Sequence, residues 1–285
     1  MKRNILLVGL LLAIGLPLMA AGTSYRQELS IGKHDNIRIS TDVPDIIIEH
    51  NNSNNRVIVS LEGPDNTKFR MLSNEGRDGI VVEVKRKNKL GFDIIDMFGT
   101  ELRISLPKNL SFGEVEISSV SGSIQIETSL VADEISFESV SGAITFVDMQ
   151  ASEEVEIESV SGRISGAEIE TTDFSAGSVS GSIDLKTVRA PAGEIDIETV
   201  SGSIVVGLVD SFEIGLATIS GKIDISLSPS FGGKVETSTI SGRIETKFPA
   251  ATPASTDKRI TTYRLGSEDH EAIFTSTSGA IHIAQ

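Results

Sequence analysis

The dipeptide Ser-Gly recurs nine times in this chain; eight copies share one sequence context, and seven of these fall at nearly even spacing: Ser121-Gly122, Ser141-Gly142, Ser161-Gly162, Ser180-Gly181, Ser201-Gly202, Ser220-Gly221 and Ser241-Gly242, with Ser278-Gly279 following 37 residues later and Ser165-Gly166 outside the series. Steps of 19 to 21 residues are the mark of a stacked repeat, whose units bury their apolar faces only against one another. With each Ser counted as position zero, position +3 is Ile in all eight copies: Ile124, Ile144, Ile164, Ile183, Ile204, Ile223, Ile244 and Ile281. Position −1 is Val120, Val140, Val160, Val179, Val200, Ile219 and Ile240, with Thr277 in the last copy. Position −6 is apolar throughout, from Val115 to Ala272, and +5 is mostly so. β-Branched residues dominate these columns, which favours strand over helix.

Apolar positions −6 and −4 share one parity, whereas −1, +3 and +5 share the other. A strand alternates faces with period two, so the phase is expected to break between −4 and −1, with the −1 column buried beside +3 and +5. Position −2 is always Ser or Thr, and such hydroxyls bond nearby backbone at bends. Gly at +1 permits either a positive φ or close approach by the next coil. The Ser-Gly pair therefore reads as a corner between two short strands. The expected fold is all-β: a β-solenoid, parallel β-helix-like, of about seven to eight 20-residue coils, with a less regular β-rich N-terminal region. Seven coils at strand spacing make a rod about 29 Å long. An antiparallel meander of hairpins competes, but the invariant Ile favours stacking like on like.

Three parts are expected. Residues 1–22 read as a signal peptide, with Lys2 and Arg3 before an apolar run from Ile5 to Met19, interrupted by Pro17 and followed by Ala20, Ala21 and Gly22. Residues 23–110 read as an irregular β-rich region or cap, and 111–285 as the regular repeats with an insertion at about 248–270. Within the first region Val43 and Ile47 fit positions −1 and +3, with Pro44-Asp45 in place of Ser-Gly, and Thr41, one residue further back, stands for the −2 hydroxyl. Cleavage of the leader and the complete lack of Cys point to an extracytoplasmic protein, periplasmic or secreted, without disulfides or thiolate metal sites.

Charge narrows the partners. Residues 23–110 carry 13 acidic and 13 basic groups, while 111–250 carry 23 acidic and 7 basic. Much of that acid lies at the outward positions −7, −5 and −3, as in Glu134, Glu138, Glu154, Glu156, Glu158, Glu194, Asp196 and Glu198. Nucleic acid and anionic membrane surfaces are therefore not expected partners, since both need clustered Lys and Arg.

The residues resemble a known family. The recurring Ser-Val-Ser-Gly-x-Ile core, the leader, and Ile104-Ser105-Leu106-Pro107 ahead of the repeats are similar to domain of unknown function 4097, a bacterial family of adhesin candidates related to the toastrack domains. The resemblance implies a stacked β architecture at the envelope and supplies no catalytic residues.

No chemistry emerges from motifs. His34, His50, His270 and His282 are scattered and fit no zinc spacing. Gly177-Ser178-Val179-Ser180-Gly181 puts Val where a nucleophile elbow needs Ser. No catalytic, cofactor-binding or metal residues are assigned, and no cofactor is expected. The one candidate contact segment is the apolar stretch Phe92, Ile94, Ile95, Met97 and Phe98, read as a protruding partner loop or as a cap over the open end. The expected role is a non-enzymatic binding or structural module of the cell envelope, its partner an unidentified envelope or surface protein. The competing class is a carbohydrate-processing enzyme on a β-helix, weakened by the lack of Trp and the presence of only Tyr25 and Tyr263.

Overall fold

The computed structural model describes residues 25–63, 69–87, 99–248, 253–256, 259–266 and 269–285. Among them the fold is all-β, with no helix. The N-terminal strands are β1 (Tyr25–Ser30), β2 (Asn36–Thr41), β3 (Asp45–Asn51), β4 (Arg56–Glu62), β5 (Phe69–Glu75), β6 (Gly79–Arg86) and β7 (Glu101–Pro107). The repeats follow as β8 (Phe112–Ser119), β9 (Ile124–Ser139), β10 (Ile144–Ser159), β11 (Ile164–Glu170), β12 (Asp173–Ser178), β13 (Ile183–Thr199), β14 (Ile204–Thr218) and β15 (Ile223–Leu227). The chain ends with β16 (Gly233–Thr239), β17 (Ile244–Lys247), β18 (Pro253–Thr256), β19 (Ile260–Leu265), β20 (His270–Ser276) and β21 (Ile281–Ala284).

Equivalent residues of successive copies pair in parallel, which excludes the antiparallel meander. After the corner, Ile124 pairs with Ile144, Ile144 with Ile164, Ile164 with Ile183, Ile183 with Ile204 and Ile204 with Ile223. Before it, Ser119 pairs with Ser139, Ser139 with Ser159, Ser159 with Ser178, Ser178 with Thr199 and Thr199 with Thr218. Two parallel ladders result, and the long strands β9, β10, β13 and β14 cross from one to the other. Register shifts between Ala151 and Glu154, and between Ala190 and Glu194, mark where β10 and β13 turn. The inward residues of both ladders form one continuous apolar cluster. Six of the +3 isoleucines from Ile124 to Ile223 have no exposed surface at all, each worth about 1.5–3 kcal/mol of burial.

Coil order in space departs from order in sequence at both ends. The coil formed by β20 and β21, last in the chain, lies inside the stack: Ile223 pairs with Ile281 and Ile281 with Ile244. Thr218 likewise pairs with Ser276, and Ser276 with Thr239. The Ser241-Gly242 coil is thus pushed to the end, and its Ile244 is the only +3 isoleucine left half-exposed. At the other end β2 and β3, first of the repeat-like coils in the chain, lie between β8–β9 and the pair β6–β7. Beyond these outer coils the pairing turns antiparallel, through β4 on β7, β1 on β4, β5 on β6 and β19 on β16.

Two expectations are corrected. Strand alternation does not break between −4 and −1: positions −6, −4 and −2 all face inward, as in Val115, Ile117 and Ser119, and inward facing resumes at Gly122. The break falls at the corner itself, where −1 and 0 both face out. The −1 column is consequently not buried; Val120 is 51% exposed and Ile240 60%. In the first coil the alignment shifts by one residue, because Thr41 pairs with Ser119 at −2 but Ile46, not Ile47, pairs with Ile124 at +3.

Candidate functional site: a valine-edged groove along the corners

Each corner is built by three small residues. The buried −2 hydroxyl accepts from the Gly amide in most coils, Gly162 N to Ser159 Oγ at 2.8 Å, Gly181 N to Ser178 Oγ at 2.8 Å and Gly202 N to Thr199 Oγ1 at 3.0 Å. In two coils it donates instead, Ser119 Oγ to Gly122 O at 2.7 Å and Ser139 Oγ to Gly142 O at 2.8 Å. The Gly column allows close approach rather than positive φ: a Cβ on Gly162 would lie 1.9 Å from Gly142 O, and none of the corner glycines has positive φ. The Ser at position zero reaches to the neighbouring coil, with Ser141 Oγ donating to Val120 O at 3.1 Å and Ser161 Oγ to Val140 O at 3.1 Å.

Backbone pairing runs unbroken through the two outward residues. Val140 N donates to Ser119 O at 3.0 Å and Ser141 N to Val120 O at 3.1 Å, and the same pair of bonds recurs down the stack. The outward residues are therefore held in register by the ladder and not by packing of their own side chains. The result is a column of large apolar side chains facing solvent, Val120, Val140, Val160, Val179, Val200 and Ile219, each 45–52% exposed. Contiguous exposed apolar surface of this kind usually means contact with something else.

This column forms one wall of a groove of about 820 Å³ that runs from Val84 and Lys85 to Thr275 and Thr277. The −2 residues, their hydroxyls turned inward, underlie it, and the −3 column, which includes Glu138, Glu158 and Glu198, borders its other side. Among the described residues none of those three carboxylates forms an ion pair with Lys, Arg or His. Next to them, Glu156 is pushed above the ordinary glutamate range by loss of solvation, then by Glu158, Glu154 and Glu138. Asp196 is raised for the same reasons, with Glu198 and Glu194 as its neighbours. Cations sit at the ends of the acid ladder: Arg38 pairs with Glu114 and Glu116, and Lys234 with Glu236 and Glu271. No group of three or more His, Asp or Glu is arranged to hold a metal ion among the described residues.

The apolar segment Phe92, Ile94, Ile95, Met97 and Phe98 lies outside the described residues, as does the N-terminal leader. From the sequence the valine column reads as core, because its parity matches +3. The signal that would have found it is the invariant hydroxyl at −2: carrying the inward alternation −6, −4 one step further to that small buried residue turns −1 outward.

The family model for Toastrack DUF4097 matches residues 34–284. The chain belongs to this family. No curated protein matches it. Among solved structures, the Toastrack chain is similar to a candidate lipid-binding protein from Parabacteroides distasonis, at 15% identity over 93% of this chain and 98% of that one, with a TM-score of 0.52. It is also similar to adhesin candidates from Bacteroides fragilis, at 12% identity over 92% and 97% of the two chains with a TM-score of 0.47, and from Parabacteroides merdae, at 14% over 93% and 98% with a TM-score of 0.43. At these identities the likeness is one of fold.

Proposed function

We propose that this Toastrack chain is a non-enzymatic binding or structural module of the bacterial cell envelope, wound as a β-solenoid, with the valine-edged groove as its contact face. The observation that carries the reading is the column from Val120 to Ile219, held outward and in register although no packing within the chain requires it. Parallel pairing of each copy with its equivalent supports the solenoid. Lys2, Arg3 and the apolar run after them, with a chain free of Cys, support export. No helix of the described residues is long and apolar enough to cross a membrane.

The test uses the full chain after its leader, immobilised on a sensor and exposed to detergent-solubilised envelope extract of the source cells. The triple variant Val140→Thr, Val160→Thr, Val179→Thr keeps β-branched shape, and Thr277 already occupies this column in one coil. Saturable association lost in the triple variant is expected. Equal association by both proteins overturns the groove as contact face, and a glycosidase or lyase activity abolished by one Glu substitution overturns the non-enzymatic reading.

A further inference from the structure

We infer, building on the groove as contact face, that its occupant is a cationic amphipathic helix lying along the stack, with an apolar stripe on the valine wall and Lys or Arg side chains on the glutamate wall. Three observations lead there. The first is the pairing of unlike columns: Val140, Val160 and Val200 stand beside Glu138, Glu158 and Glu198, two residues along the same strands and on the same outward face. An occupant must therefore be apolar along one flank and cationic along the other.

The second is the distribution of the acid. The three carboxylates are spread over coils that span about 14 Å at strand spacing, and among the described residues none is neutralised by an ion pair. A lipid concentrates its polar group at one end and leaves the length of its tail uncharged. A second copy of this chain brings the same acid wall and the same net charge of −15. A polypeptide distributes cations along its length, as the wall requires.

The third is spacing. The valines recur once per coil, about 4.8 Å apart. An α-helix presents an apolar residue of one stripe about every 5.4 Å, close enough to the coil spacing to stay in step over about two to three coils. An extended strand presents same-face side chains about every 6.8 Å, out of step after a single coil. From Val120 to Ile219 the column rises about 24 Å, the length of about 16 helical residues. This is recognition of a helix by a groove through anchors at i, i+3 or i+4, and i+7, with the groove supplied by a stack of corners.

The probe is a labelled 18-residue Leu/Lys peptide with one leucine stripe, compared with its Leu/Glu counterpart by fluorescence anisotropy at physiological salt. Wild type is expected to bind the Lys peptide at least tenfold more tightly than the Glu peptide. Two variants should each weaken it tenfold or more: Val140→Thr with Val160→Thr and Val179→Thr, and Glu138→Gln with Glu158→Gln and Glu198→Gln. A control on the outer acid row, Glu134→Gln with Glu154→Gln and Glu194→Gln, should change it less than threefold; an equal loss there makes the attraction general and overturns the site. Equal binding of the two peptides, a concentration-dependent dimer lost in the valine variant, or co-sedimentation with phosphatidylglycerol vesicles would each assign the groove to another occupant. If the Lys peptide fails to bind while envelope association still depends on the valines, the contact face stands and only the helix is lost.

Discussion

At the scale of single residues, this chain separates glycines that are structural necessities from glycines that are incidental. Gly162 has the carbonyl of Gly142 where a Cβ would go, at 1.9 Å, and a backbone atom in the ladder cannot step aside. Gly177, at −3, has nothing within 4 Å of the same position. Gly162→Ala should therefore cost about 3 kcal/mol or more, whereas Gly177→Ala should be neutral or stabilise by up to about 1 kcal/mol through the unfolded chain. Urea unfolding of both variants measures the contrast, and similar midpoints would refute the close-approach account of the corner. The sequence showed that Gly was required at +1 without choosing between positive φ and close approach. Both demand the absence of Cβ, and only the neighbouring coil tells them apart.

At the scale of elements, the terminal coils are the unusual ones. A last repeat ordinarily frays because it has one neighbour. Here β20 lies between β14 and β16, and β21 between β15 and β17. The amides of Ile281 and Ile283, both buried, should exchange as slowly as those of the central coils, while Ile244 in β17 exchanges faster. Hydrogen exchange followed by mass spectrometry checks this order, and rapid exchange across residues 281–284 would contradict it. The same insertion of a terminal coil occurs at the other end, with β2 and β3 between later strands. From the sequence the 37-residue interval before Ser278 looked like one coil plus an insertion. It contains the strands β18 and β19 and a return into the stack, and periodicity along the chain carries no information about which neighbour a returning strand takes.

At the scale of the whole molecule, charge sets how stability responds to pH. Glu134, Glu156 and Asp196 are all raised above their ordinary values, first by loss of solvation and then by neighbouring carboxylates. A carboxylate raised in the folded state binds its proton more tightly there than when unfolded. Its contribution is thus fully present below the unfolded pKa and lost as pH rises through the folded one. Melting temperature should therefore rise as pH falls from neutrality toward the range just above 4.5, the ordinary value for Glu. Further acid reverses the trend once Asp133 protonates, since Ser152 and His34 hold its carboxyl below the usual range. Glu156→Gln should raise the melting temperature at pH 7 and flatten its rise toward acid. A melting temperature that falls steadily from pH 7 to pH 5 would show that repulsion along the ladder does not govern stability.

The repeat period, the strand character, the core isoleucines and the outward acid were legible in the sequence, because each follows from residue type and local alternation. The tertiary structure alone decided which coils are neighbours at the two ends, since strand pairing depends on contacts distant in sequence. It also decided the fate of the residues beside the Ser-Gly corner. There the ladder's hydrogen bonds hold two consecutive residues outward, and a valine column that reads as core by its composition becomes the wall of a groove.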